Sequence, residues 1–426
     1  MKLNAKKTIF VGLAFLSICA FWQLYDGIIP LILKNTFHVG DTASGAVMAL
    51  DNVLALFLLP LFGTISDKVD TRFGRRVPFI VCGTALAVIF MLLIPLSDNI
   101  QILGLFIASL LLVLLAMSTY RSPAVALMPD VTPKPLRSKA NAVINLMGAV
   151  GGMITLLLIS VLVPKAGRPN YFPLFAAVAA VMLVSVVVLV LNIKERAAAK
   201  EAAEQYPEEE APPAERGAKP APMEPAVKRS LILILVSVAL WFMGYNAVTT
   251  AFSKYAQNYW GLEGGGFASC LMVATVAAIV SYIPVGSLAT KIGRKKTILI
   301  GALCLALSFT VGAFFRAYTP LINVLFAVVG VSWAAINVNS YPMVVEMSRG
   351  SDVGKFTGFY YSFSMAAQIV TPILSGLLLE HVGYYTLFPY AAFFVGLSFV
   401  TMLFVKHGDS KPISPASKLE AFDVED

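Results

Sequence analysis

A few charged side chains stand where the sequence is otherwise apolar, and these are the residues equipped to do chemistry. Asp26, Asp51 and Arg121 each interrupt a long hydrophobic run. Ionisable groups inside membrane-length apolar segments are costly to bury and usually mark ion or substrate paths. A carboxyl group kept from bulk water can take up and release a proton near neutral pH. Asp26 and Asp51 are therefore read as proton-coupling residues, with Arg121 as their counter-charge or as a donor to substrate hydroxyls. Asp130 lies at the end of the run that holds Arg121. It is read as the partner of a loop base, with Lys134, Arg137 and Lys139 nearby. Lys254 and Glu346 stand close to the ends of their runs and are read as side chains reaching to the membrane surface. His38, His381 and His407 all lie outside the runs, so no histidine proton relay is expected.

Around these charges the apolar runs carry amides, phenols and indoles. A sugar needs hydrogen bonds for its hydroxyls and a flat apolar surface for the C–H face of its ring. The candidate substrate contacts are Gln23, Tyr25, Tyr120, Arg121, Asn145, Trp241, Asn246, Trp333, Asn337 and Gln368. The alternative for each is packing, since Trp and Tyr favour membrane interfaces and Asn and Gln join helices by hydrogen bonds.

The elements that must position these residues are membrane helices. The chain has 426 residues, 58% hydrophobic and only 13% charged, with a mean hydropathy of +0.79. Soluble domains carry roughly 25% charged residues, so an ordinary soluble enzyme is excluded. No Ser/His/Asp set, phosphate-cradling loop or metal-ligand cluster is visible, so enzymatic activity and a cofactor are not expected. Cys19, Cys82, Cys270 and Cys304 all fall in apolar runs without a CxxC pair, which argues against a metal site or disulfide framework.

Twelve apolar segments are read, near 8–33, 42–65, 78–97, 101–128, 141–163, 171–193, 230–257, 265–289, 297–315, 320–346, 356–379 and 384–405. The first is too long for a signal peptide, carries Trp22 and Asp26, and is read as a retained span. One set of loops and termini holds 26 Lys and Arg residues, the other holds 5. This places both termini in the cytoplasm and accounts for the net charge of +8 as topology, not nucleic-acid binding. The expected architecture is all-α. A six-helix bundle spans 1–193, a cytoplasmic linker 194–229, a second six-helix bundle 230–406 and a disordered cytoplasmic tail 407–426. The linker opens with a helix-forming charged run, Lys194 to Gln205, and then becomes rich in Pro and Glu. Pro123, Gly244, Pro342 and Pro372 are read as helix interruptions that provide bending points.

An internal repeat relates the halves. Gly63-Thr-Ile-Ser-Asp67 and Arg72-Phe-Gly74-Arg75-Arg76 follow the second span. Gly286-Ser-Leu-Ala-Thr290 and Lys291-Ile-Gly293-Arg294 follow the eighth. Gly63 and Gly286 are 223 residues apart; Gly74 and Gly293 are 219 apart, as are Pro123 and Pro342. Glycine permits close helix approach, an acid can meet a helix N-terminus or an Arg, and the basic cluster anchors the cytoplasmic surface. Gly63, Asp67, Arg72, Gly74, Arg75, Arg76, Asp130, Gly286, Gly293 and Arg294 are accordingly read as gating residues.

Two six-span halves joined by a cytoplasmic linker, with GxxxD and RxGRR-type loops, resemble the major facilitator superfamily over almost the whole chain. Within it, SDKVDTRFGRRVPF and ALMPDVTPKPLRSKANA are similar to the sucrose–proton (glycoside–cation) symporter branch. The resemblance implies alternating access by rocking of two bundles, with one substrate site near the bilayer midplane. Sucrose-type members typically have arginine directly before the Ala-Leu-Met-x-Asp stretch. Here Val125 stands there and Arg121 stands one turn earlier on the same face.

The leading expectation is secondary active transport: proton-coupled symport of a di- or oligosaccharide or glucoside. Sodium coupling is the first alternative, disfavoured because Asp51 is followed at i+4 by Ala55 instead of a second acid. Proton-driven efflux of amphipathic compounds is the second. The expected partners are the sugar, protons and lipid, with a monomer in the plasma membrane, a bacterial inner membrane by economy of loops.

Overall fold

The computed structural model describes residues 3–133, 136–165, 167–205, 223–347 and 353–409. The proline-rich part of the linker, the tail from residue 410, and Lys134 lie outside the described residues.

Thirteen helices account for the described chain. The first half holds α1 (Ala5–Asn35), α2 (Asp41–Lys68), α3 (Val77–Asn99), α4 (Leu103–Asp130), α5 (Arg137–Leu162) and α6 (Phe172–Asn192). A short polar helix α7 (Glu195–Gln205) follows, where the charged run of the linker begins. The second half holds α8 (Pro225–Asn258), α9 (Phe267–Ile292), α10 (Arg294–Gly312), α11 (Leu321–Val345), α12 (Val353–His381) and α13 (Leu387–Leu403). Twelve of them are long and apolar enough to cross a membrane, all but α7. In a bilayer every backbone group needs an internal partner, and the helix is the local solution for such runs. The predicted breakers do not break them: Pro123, Gly244, Pro342 and Pro372 all lie inside continuous helices. Gly244 serves packing instead, since a β-carbon there would meet Val395 and Ala391 of α13.

The repeat seen in the sequence is a repeat of packing. In the first half α1 packs on α5 and α6, α4 on α2 and α3, and α3 on α6. In the second half α8 packs on α12 and α13, α11 on α9 and α10, and α10 on α13. The two lists match helix for helix. The halves meet chiefly through α2 with α12, α5 with α9, and α1 with α8.

The ends of the spans define two faces. The terminal face carries the chain start, α7 and the end of α13; the opposite one is here the far face. Close approaches between halves gather at the far face and use glycine. A β-carbon on Gly45 of α2 would collide with the Pro372 carbonyl of α12, and one on Gly376 of α12 with the Asp41 carbonyl. Gly265, at the start of α9, lies equally close to the Ile159 carbonyl of α5. Small residues allow such backbone contact between membrane helices.

Candidate substrate and ion site

Helices α1, α2 and α4 bring the three predicted charges into one cluster. Trp22, Gln23 and Asp26 lie on consecutive turns of α1, Asp51 in α2 and Arg121 in α4, all of them half-buried. Asp26 feels the charge of Asp51, and Asp51 feels that of Arg121. The Arg121 guanidinium stands 5.4 Å from the Trp22 ring, within the range of a cation–π contact. Asn52 donates to Asp51 Oδ1 at 2.7 Å. The Trp22 indole nitrogen is buried without a hydrogen-bond partner. With both acids ionised the cluster carries one net negative charge, so a single proton neutralises it.

Other predicted contacts hold this cluster together. Tyr25 is 2% exposed and its hydroxyl donates to the Val47 carbonyl at 3.4 Å, tying α1 to α2. Tyr120 is fully buried, with its hydroxyl 3.4 Å from Ser17 Oγ, tying α4 to α1. Gln23 faces Gly152 of α5. Asn145 is half-buried in α5.

The second half presents an aromatic face. Tyr245 of α8 and Trp333 of α11 stack at 3.7 Å with their planes 4° apart, and Phe242 meets Trp333 edge-on. Asn246, Asn337 and Gln368 are half-buried, and the Asn246 amide nitrogen has no hydrogen-bond partner. Trp241 differs: it is 1% exposed and its buried indole nitrogen is unpartnered.

The predicted gating residues form an ionic clasp at the terminal face. Arg76 is 6% exposed and is its hub. Its guanidinium donates to Asp67 and Ser66 at 2.5 Å and to Asp130 at 2.8 Å. Asp130 thus pairs with Arg76, a base of the loop after α2, while Arg137 donates to the carbonyls of Pro129 and Thr132. Arg72 lies over its neighbour Phe73. Gly74 has φ +118° in the tight turn before α3, and Gly293 has φ +95° between α9 and α10; glycine adopts that conformation without strain. Gly63 does allow close packing, against Ser122 of α4, whereas Gly286 faces open space.

Two acids that the sequence reading missed complete the clasps. Glu195, at the start of α7, is 4% exposed. Its carboxylate accepts the backbone N–H groups of Arg75, Arg76 and Val77 at 2.7–3.0 Å, capping α3. In the second half Asp409, just after α13, accepts the Lys295 N–H at 2.8 Å at the start of α10. Arg294 pairs with Glu346 there, as Arg76 does with Asp130. The repeat therefore includes an acid after the sixth span of each half. Glu346 is exposed, as expected of a side chain near the surface, and it is also an ion-pair partner. Exposed Asp70 is held below the usual carboxylate range by its hydrogen bond from Arg196 of α7.

Lys254 also departs from expectation. It is 3% exposed, and its Nζ donates to Asp41 Oδ1 at 2.8 Å and to Ser44 Oγ at 3.3 Å. Asp41 lies one residue outside the predicted second span, so its burial was not legible.

An all-helical bundle of two matched six-span halves with a charge cluster between helices defines a polytopic membrane carrier. The sequence model of the Major Facilitator Superfamily matches residues 11–281 and 261–424. The chain belongs to that superfamily and is a multi-pass membrane protein. It is 29% identical to a sucrose transport protein of Arabidopsis thaliana over 152 residues, covering 31% of this chain and 25% of that one. A match to an MFS-type transporter of Schizosaccharomyces pombe is 29% identical and covers 29% of the relative. These alignments span less than a third of either relative. A multidrug resistance protein of Bacillus subtilis is 23% identical across 97% of this chain and 99% of its own length. Among solved structures, the nucleoside transporter NupG has a TM-score of 0.68 at 15% identity, covering 95% of this chain and all of that one. That likeness is one of fold.

Proposed function

We propose that the protein is a proton-coupled symporter for a sugar, a di- or oligosaccharide or a glucoside, working by alternating access. The observation that carries this reading is the Asp26–Asp51–Arg121 cluster. Two half-buried acids with one base, which acts on Asp51, leave a place for one proton. The neighbouring Gln23 and Asn145, and the Tyr245–Trp333 stack across in the second half, offer what a polyhydroxyl ring needs. The partial similarity to a sucrose transport protein agrees with this class. The basic loops lie on the terminal face, so both termini are assigned to the cytoplasm. In this reading the halves are the moving bodies, 194–229 is a connecting linker, and Arg76 and Arg294 organise their cytoplasmic ends.

Proton-driven efflux of amphipathic compounds is the second reading, favoured by the end-to-end alignment with a multidrug resistance protein. One assay separates them. Purified protein in liposomes is offered labelled sucrose, maltose, trehalose and glucose, with an imposed proton gradient, with sodium alone, and with a protonophore. Protonophore-sensitive accumulation of a disaccharide is expected. No uptake of any sugar by folded protein, with extrusion of a lipophilic cation instead, would replace symport by efflux.

A further inference from the structure

At the far face four charged residues and a phenol form a cluster that spans both halves. The first half contributes Asp41, at the start of α2, and Lys34, at the end of α1. The second contributes Lys254 of α8, Glu380 of α12, and Tyr384 in the turn between α12 and α13. Asp41 is 1% exposed, and its carboxylate is fully engaged. It accepts from Lys254 at 2.8 Å, from Lys34 at 3.1 Å, and from the Tyr384 hydroxyl at 3.0 and 3.2 Å. Glu380 accepts the Thr42 backbone N–H at 2.8 Å, capping α2 from the other half. Asn35 of α1 donates to Gln257 of α8 at 2.8 Å on the same face. Directly beneath lies the backbone contact between Gly45 and Pro372.

We propose that the Asp41–Lys254–Tyr384 cluster is the far-face gate of this carrier, and that breaking it is the step that admits solute from that side. Lys254 and Asp41 belong to different halves, so the halves cannot part at this face while the pair persists. A buried ion pair adds little stability over an apolar pair, but removing one partner leaves an uncompensated buried charge. The pair is therefore suited to holding one arrangement and yielding when water reaches it. The charge inventory fits the task. Lys34 and Asp41 stay together in the first half when the faces separate, while Lys254 and Glu380 stay in the second. Each half then carries one base and one acid, and opening strands no net charge on either side.

The test reads opening directly. In a chain with Cys19, Cys82, Cys270 and Cys304 replaced by serine, Met48→Cys reports on the far-face interior. Met48 is 4% exposed and lies on the same face of α2 as Asp41 and Gly45. Labelling uses a membrane-impermeant maleimide on full-length protein in sealed vesicles. Tyr385→Cys, at a residue 51% exposed on the far face, shows which membrane side the reagent reaches. Gly45→Val, whose β-carbon must displace the Pro372 carbonyl, serves as the forced-open reference. Asp41→Asn and Lys254→Met are each expected to raise the labelling rate at position 48 on the order of tenfold. The double replacement Asp41→Leu with Lys254→Leu should bring it back toward the parent rate, because an apolar pair reseals the face. Slow labelling of both single variants, with Gly45→Val fast and the protein monodisperse, would overturn the gate. A double variant as fast as the singles would overturn it too, since general damage at the interface would then explain the opening. The assay needs neither sugar nor proton gradient, so its failure and that of the symport reading are distinguishable.

Discussion

Asp26 and Asp51 are not equivalent in their surroundings. Asp51 has Asn52 as a donor and Arg121 as a counter-charge, whereas the charge acting on Asp26 is that of Asp51. Under the proposed symport, proton carriage falls to Asp26 and charge pairing with Arg121 to Asp51. Asp26→Asn is expected to abolish proton-driven accumulation while leaving exchange of substrate across the membrane intact. Accumulation at the parent level by that variant, in reconstituted protein, would remove Asp26 from the coupling site. These two acids stand out in the sequence because a carboxyl in the middle of an apolar run needs either a functional role or a buried ion-pair partner. Trp241 and Tyr120 were harder to place, because a helix apolar on all sides does not declare which face meets the pathway. In the structure both are buried.

At the scale of helices, the informative features are the caps. Glu195 stands on α7 yet completes the first turn of α3, and by holding the Arg76 backbone it positions the guanidinium that bridges Asp67 and Asp130. Losing a buried acceptor of three backbone donors costs about 1–3 kcal/mol for the groups left unpaired. Glu195→Ala should therefore lower the melting temperature by several degrees and speed amide hydrogen exchange at Arg75, Arg76 and Val77. Unchanged exchange at those three amides would show that water replaces the carboxylate without loss. The glycine spacing of the repeat was readable because positive φ demands glycine at Gly74 and Gly293 regardless of tertiary structure. The acids that dock onto those turns were not, since Glu195 and Asp409 lie among other polar residues whose partners are more than a hundred positions away. Lys254 failed for the same reason: its distance from the end of an apolar run says nothing about Asp41 arriving from another helix.

For the whole molecule, matched halves, twelve spans and the position of the clasps follow from composition and repeat alone. The place where the halves meet does not, because it depends on glycines that look ordinary until a carbonyl is set against them. One feature of the assembled site bears on energetics across the bilayer. The cluster of two acids and one base has a net charge of −1 when empty and of zero after one proton binds. Under the proposed symport of a neutral sugar, the loaded carrier would reorient without moving charge. The empty carrier would return its negative site outward, a movement that an inside-negative membrane drives by up to about 2.3 kcal/mol per 100 mV for a full charge crossing. Net uptake into liposomes should accelerate when a potassium diffusion potential makes the interior negative. Sugar-for-sugar exchange, which omits the empty return, should not respond. Voltage-sensitive exchange would place the moving charge on the loaded form. In this carrier the electrical half of the proton gradient would act on the journey made with nothing aboard.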